Sequence, residues 1–270
     1  MFFATFADNV FLDEAMMNRT ANPWVSIPKP EPRARLRLFC FPYAGGSTMV
    51  FRPWINALPE TVETCPIQLP GRGARLTESP FTRLMPLAQA IAEGMLPYCD
   101  KPFAMFGHSM GAMLCFEVAR YLRSRHGIRP VQLFVSGRRA PQVDNDEPVT
   151  YNLPEPEMIE ELKRIKGTPE EVLENAELMQ IVLPVLRADF EVCQTYEYAQ
   201  GEPLDCPIIA FCGMGDDEED REKMEAWREQ TTAEFSLRML PGDHFFIHSS
   251  ERVFLHLLAR ELQKLAYKQA

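Results

Sequence analysis

Three side chains far apart in the 270-residue sequence could together perform nucleophilic chemistry: Ser109, Asp216 and His244. A serine hydroxyl is a weak nucleophile at neutral pH. It needs a base to take its proton, and the base needs a carboxylate to fix its tautomer. Ser109 is the centre of Gly107-His108-Ser109-Met110-Gly111, a G-x-S-x-G pattern. The apolar run Pro102–Phe106 precedes it and the helical run Ala112–Leu122 follows it. Strand, G-x-S-x-G, helix is the setting of a nucleophile elbow, a tight turn that lifts the hydroxyl above the sheet edge. The following helix points its positive N-terminus at the site, where a developing oxyanion gains from it.

The base and the acid follow from position. His244 stands in Leu240-Pro241-Gly242-Asp243-His244-Phe245-Phe246, a loop after the last expected strand, where a base can swing onto Ser109. His108 lies inside the elbow, His126 before the next strand, and His248 and His256 in or beside the last helix. The chain order is expected to be Ser, acid, His. After the strand ending at Cys212, the first carboxylate to emerge is Asp216, with Asp217 as the alternative. Asp243 precedes the base and does not fit that order. Two backbone amides should form the oxyanion hole: that of Met110, and that of Ala44 in Tyr43-Ala44-Gly45-Gly46. This glycine pair lacks the Lys-Ser/Thr sequel of a nucleotide P-loop.

The elements that must hold these residues alternate between strand and helix. Strands are expected at Arg35–Phe41, Thr64–Leu69, Pro102–Phe106, Pro130–Ser136, Cys206–Cys212 and Glu234–Leu240. Helices are expected at Phe51–Leu58, Leu84–Leu96, Arg221–Thr231 and Val253–Tyr267. This alternation implies an α/β domain with a parallel sheet covered on both faces. Residues 142–200 show no strand pattern but four helical ones: Glu157–Ile165, Pro169–Leu173, Ala176–Val182 and Pro184–Tyr196. That is too long for one crossover and reads as an inserted, acidic helical lid over the strand ends, where ligands bind in open α/β sheets. Asn22–Pro32 carries four prolines and reads as an extended entry into a domain spanning 22–270, with residues 1–21 as a flexible arm.

Composition narrows the function classes. A net charge of −10 argues against nucleic acid as the main partner. No apolar run has the length to span a bilayer, so no membrane partner is expected. The 7 cysteines lie scattered, mostly in apolar stretches, without metal-ligand spacing. They suggest reduced, buried thiols in a cytoplasmic enzyme with no metal and no cofactor. A monomer is expected.

Several segments together resemble a known family. They are Leu38-Phe39-Cys40-Phe41-Pro42-Tyr43-Ala44-Gly45-Gly46, Gln68-Leu69-Pro70-Gly71-Arg72 and Phe106-Gly107-His108-Ser109-Met110-Gly111-Ala112. Leu183-Pro184-Val185-Leu186-Arg187-Ala188-Asp189-Phe190 and Gly242-Asp243-His244-Phe245-Phe246 complete the set. They look like the stand-alone type II thioesterases of polyketide and non-ribosomal peptide biosynthesis, within the α/β-hydrolase superfamily. The resemblance implies hydrolysis of stalled or aberrant acyl groups from the phosphopantetheine arm of acyl- or peptidyl-carrier proteins. It places nucleophile, acid and base on Ser109, Asp216 and His244, and the oxyanion donors on Ala44 and Met110. The acidic run Asp216–Asp220 departs from the family pattern. Carrier domains are typically acidic, so basic residues should rim the entrance of so acidic an enzyme: Arg72, Arg75, Arg138 and Arg139, all near strand ends. The competing readings are a carboxylesterase or lipase with the same triad, and an acyl-carrier binding protein whose triad is dead.

Overall fold

The computed structural model describes residues 22–144 and 148–268. The proposed N-terminal arm and residues 145–147 of the expected lid lie outside them. In chain order the elements are β1 Leu36–Phe41, a 3-10 turn Thr48–Phe51, α1 Trp54–Ala57, β2 Val62–Pro66, α2 Leu84–Met95, β3 Phe103–His108, α3 Met110–His126 and β4 Gln132–Ser136. Then come α4 Glu155–Ile165, α5 Glu170–Leu173, α6 Ala176–Gln194, β5 Ile208–Gly213, α7 Arg221–Glu225, β6 Phe235–Leu240, α8 Phe246–Ser249 and α9 Glu251–Lys268. The six strands form one sheet in the order β2-β1-β3-β4-β5-β6, and all five pairings are parallel.

The strands are apolar because both faces of the sheet are covered. In β1 the alternation is direct. Leu36, Leu38 and Cys40 pack toward Trp54 of α1 and Phe254 of α9. Phe39 and Phe41 pack on the opposite face, toward α2 and α3. Among the described residues no helix is long and apolar enough to cross a membrane.

Strand order fixes where a site can form. From β1 the chain moves outward to β2, then returns to lay β3 on the other side of β1. The connections leaving β1 and β3 therefore part in opposite directions, and a crevice opens beyond their C-terminal ends. The register pairs Phe41 with Gly107. This brings the turn after β1 beside Ser109.

Between β4 and β5 the described residues contain helices only. They share a small core of their own, Met158, Leu162, Met179, Leu183 and Leu186. The break expected at Val182–Pro184 is absent: α6 runs unbroken from Ala176 to Gln194 with Pro184 inside. Pro184 and Gln180 are both exposed. Water can therefore satisfy the Gln180 carbonyl that Pro184, having no N–H, leaves unbonded. Smaller shifts affect two other elements. β2 ends at Pro66, after which Ile67 makes an antiparallel bridge to Val25. The helix expected over Arg221–Thr231 is α-helical only to Glu225 and tightens into 3-10 geometry through Gln230.

Candidate active site

Ser109 sits between β3 and α3 with φ 52° and ψ −118°. A non-glycine residue held at positive φ costs about 1–3 kcal/mol and persists only where its surroundings over-determine it. Here the Ser109 N–H donates to the Ser136 carbonyl at 2.8 Å, and α3 begins at the next residue. The flanking glycines are required by close approach. A Cβ on Gly107 would overlap the Gly111 carbonyl, and one on Gly111 would overlap the Phe41 carbonyl. Met110 is the first residue of α3. Its amide belongs to the turn whose N–H groups have no acceptor within the helix.

His108 is fully buried, with Nδ1 3.0 Å from Ser136 Oγ. Burial, reinforced by His244 and His248 nearby, holds its pKa well below the ordinary histidine value. It is a neutral support beneath the elbow.

The structure brings Asp216 to His244, with Nδ1 2.9 Å from Asp216 Oδ2. Asp217 is exposed. The second oxygen of Asp216 accepts the N–H groups of Glu218 and Glu219 at 3.0 and 3.1 Å. Burial disfavours the Asp216 anion, but the His244 hydrogen bond and charge and the two backbone donors outweigh it, so its pKa is lowered. Burial likewise opposes the charged His244. The hydrogen bond and charge of Asp216 prevail there too, and the His244 pKa is raised. With Nδ1–H donated to the carboxylate, Nε2 is the basic nitrogen.

Ser109, Ala44 and His244 line one cavity, together with Leu162, Leu186 and Phe190 from the helical insertion. Tyr43 lines it as well and reaches His248, with Oη 3.0 Å from Nε2. Sequence reasoning passed over this contact between the turn after β1 and the segment after His244.

The four arginines expected at the rim are distributed differently. Arg72 forms a two-bond pair with Asp189 of α6 at 2.6 and 2.7 Å. Arg75 is buried, pairs with Glu78 and lies over the Trp24 ring at 4.0 Å. Arg139 is buried, with Nε 3.1 Å from Glu219, whose own N–H holds Asp216. Charge at a strand end predicted an outward-facing cation. The actual partners lie 3 to 117 residues away: Asp189 and Glu219 are buried, and Glu78 is exposed over the buried Arg75. Arg138 is the member of the set that lines the cavity with Ser109, and its Nη1 stands 3.9 Å from the Glu219 carboxylate that Arg139 also meets.

A parallel sheet bearing a strained serine at a strand–helix elbow, with a carboxylate-held histidine beside the same cavity, defines an α/β-hydrolase. The family model described as thioesterase domain matches residues 36–261. The chain belongs to that family and is a serine-based thioesterase. It is 46% identical, over 90% of its length and 94% of the relative's, to the gramicidin S biosynthesis protein GrsT of Aneurinibacillus migulanus. Among solved structures it is similar to RedJ, the thioesterase from the prodiginine pathway of Streptomyces coelicolor. That match has 41% identity and a TM-score of 0.79, covering 87% of this chain and 92% of the other. It is also similar to BorB, the type II thioesterase from the borrelidin biosynthetic cluster. There the identity is 34% and the TM-score 0.82, covering 88% and 97%.

Proposed function

We propose that this enzyme hydrolyses acyl thioesters carried on the phosphopantetheine arm of acyl- or peptidyl-carrier proteins, with Ser109, His244 and Asp216 as its catalytic residues. Editing or release of stalled acyl groups in polyketide or non-ribosomal peptide biosynthesis is the corresponding role. The observation that carries the reading is the single cavity that Ser109 shares with the Asp216-held His244. The biosynthetic setting rests on the relatives. The five cysteines buried in the structure fit a reducing cytoplasm. Helices α4–α6 act as the lid of a domain that begins near Asn22.

In the first half-reaction Ser109 Oγ attacks the thioester carbonyl and its proton passes to His244 Nε2. The tetrahedral oxyanion is held by the Ala44 and Met110 amides. The C–S bond breaks, and His244 returns the proton to the departing sulfur, which leaves as a free thiol. In the second half water attacks the acyl-serine, again giving its proton to His244. Collapse releases the carboxylic acid and restores Ser109. Asp216 stays ionised throughout and stabilises the imidazolium.

The test compares acyl groups on a phosphopantetheinylated carrier with the same acyl groups as simple alkyl esters. A kcat/KM at least about 100-fold higher on the carrier thioester is expected. Equal values would return the carboxylesterase reading. No turnover of either, with no labelling of Ser109 by a fluorophosphonate, would return the non-catalytic one.

A further inference from the structure

Three of the segments that mark the resemblance meet at one buried point. The turn after β1 supplies Gly45 and Gly46, the loop after β2 supplies Arg72, and α6 supplies Asp189. Asp189 Oδ2 accepts the Gly45 N–H at 2.7 Å and Arg72 Nη1 at 2.6 Å, while Oδ1 accepts Arg72 Nη2 at 2.7 Å. Arg72 also donates to the carbonyls of Gly46 at 3.2 Å and Pro70 at 3.3 Å. The Asp189 side chain is 2% exposed.

The turn at which the pair points is the one that carries Ala44. The Gly46 N–H closes it onto the Tyr43 carbonyl at 2.9 Å. Gly45, its third residue, has φ +76°. A positive φ at that position is the mark of a type II turn, in which the central peptide is flipped relative to type I. The central peptide here joins Ala44 to Gly45, and its N–H is the one captured by Asp189. Leu186, one turn before Asp189 on α6, packs over Gly45, where a Cβ would come within 2.5 Å of its Cδ2. Helix α6 therefore meets the turn through the Asp189 carboxylate on its amide and the Leu186 side chain over Gly45.

A buried ion pair is a poor source of stability, since packed apolar residues often serve as well or better. An apolar pair, however, could not receive the Gly45 N–H. We infer that the Arg72–Asp189 pair is a positioning device: it fixes the turn that presents the Ala44 amide to the reacting carbonyl, and it makes that geometry depend on the seating of α6. The inference rests on the roles of Ser109 and Ala44 given above. Arg72 orients the carboxylate through two hydrogen bonds, and Asp189 holds the turn. Neither touches the substrate. Helix α6 thus supplies both Leu186 and Phe190 to the cavity lining and the Asp189 carboxylate to the turn.

The experiment uses Asp189→Ala, Asp189→Asn and Arg72→Lys, with Ser109→Ala as reference. Active sites are first titrated to completion with a fluorophosphonate. Turnover of a small acyl-cysteamine thioester is then expressed per titrated site. Displacing one donor by a fraction of an ångström to 1 Å should lower kcat per site roughly 10- to 100-fold in Asp189→Ala, with KM within about threefold. Asp189→Asn, which keeps an acceptor for Gly45, should recover part of that loss. Arg72→Lys keeps the charge but loses the two-bond geometry and should fall between wild type and Asp189→Ala. A merely structural role would lower the number of titratable sites and leave turnover per site unchanged; that result overturns the inference. If Asp189→Ala does not yield folded protein, Arg72→Lys decides on the same criterion. Retained turnover in Ser109→Ala would instead strike the underlying assignment of the nucleophile.

Discussion

Asp216 and Asp189 are two buried carboxylates with nearly the same surroundings and different work. Their side chains are 0% and 2% exposed. Asp216 accepts the His244 ring N–H and two backbone N–H groups of its own loop, and Asp189 accepts the Arg72 guanidinium and the one Gly45 N–H. What separates them is the partner. His244 borders the cavity and has its pKa raised by Asp216, so in the proposed mechanism Asp216 governs a proton that moves. Arg72 meets Asp189 with a planar two-bond fork outside the cavity lining, and on the inference above Asp189 governs a piece of backbone that must stay still. The same side chain becomes part of proton transfer or part of a brace according to what stands against it.

The largest expected loss is at Asp216. Asp216→Asn should lower kcat roughly 10⁴-fold, because the amide no longer holds the Nδ1–H tautomer. Asp217→Asn, on the exposed neighbour, should stay within about threefold of wild type. The reverse ranking would move the acid to Asp217. The pH profile sharpens the contrast. The imidazole must be neutral to accept the Ser109 proton, so kcat/KM falls as pH drops through the His244 pKa. Asp216 raises that pKa against burial. The acid limb should therefore lie above the ordinary histidine value of about 6.5. In Asp216→Asn the raising partner is gone, burial remains, and the limb should move to lower pH. Asp189→Asn lowers kcat without touching His244, so its limb should stay in place. A limb that moves with Asp189 and not with Asp216 would contradict the division between the two carboxylates.

The smallest expected effect concerns the arginines. Arg138 lines the cavity with its Nη1 3.9 Å from Glu219, whereas Arg72 is held by two short hydrogen bonds to Asp189. Arg138→Ala should reduce kcat/KM for an acyl-carrier substrate by roughly 3- to 10-fold at low salt, less at high salt, and hardly at all for an acyl-cysteamine thioester. Arg72→Ala should reduce both substrates alike. Equal losses for Arg138→Ala on both substrates would place it with the braces.

These contrasts also show what the sequence could and could not yield. The elbow was legible because its determinants are local: the apolar run, two glycines and the helix all lie within Pro102–Leu122. The 28-residue pairing of Asp216 with His244 was legible because chain order confines the acid and base to two loops. The Arg72–Asp189 pairing spans 117 residues, and nothing in either local pattern names the other. Its one trace was a carboxylate set between Ala188 and Phe190 in the segment Leu183–Phe190. The partners of Arg72, Arg75 and Arg139 were not legible for the same reason: residue type reports charge, but not the carboxylate that meets it. The break expected at Pro184 failed because the proline lies on the wet face of α6, where its missing N–H costs little.

The central claim is that acyl transfer from thiol to water passes through Ser109. The most direct test mixes the enzyme with an acyl-phosphopantetheinyl carrier, quenches in acid within the first turnovers and maps the acyl mass by peptide analysis. An acyl adduct on the peptide bearing Ser109 is expected in the wild type and absent in Ser109→Ala, whose turnover should fall by several powers of ten while its fold is retained. An adduct on another residue, or near wild-type hydrolysis by folded Ser109→Ala, would contradict the account.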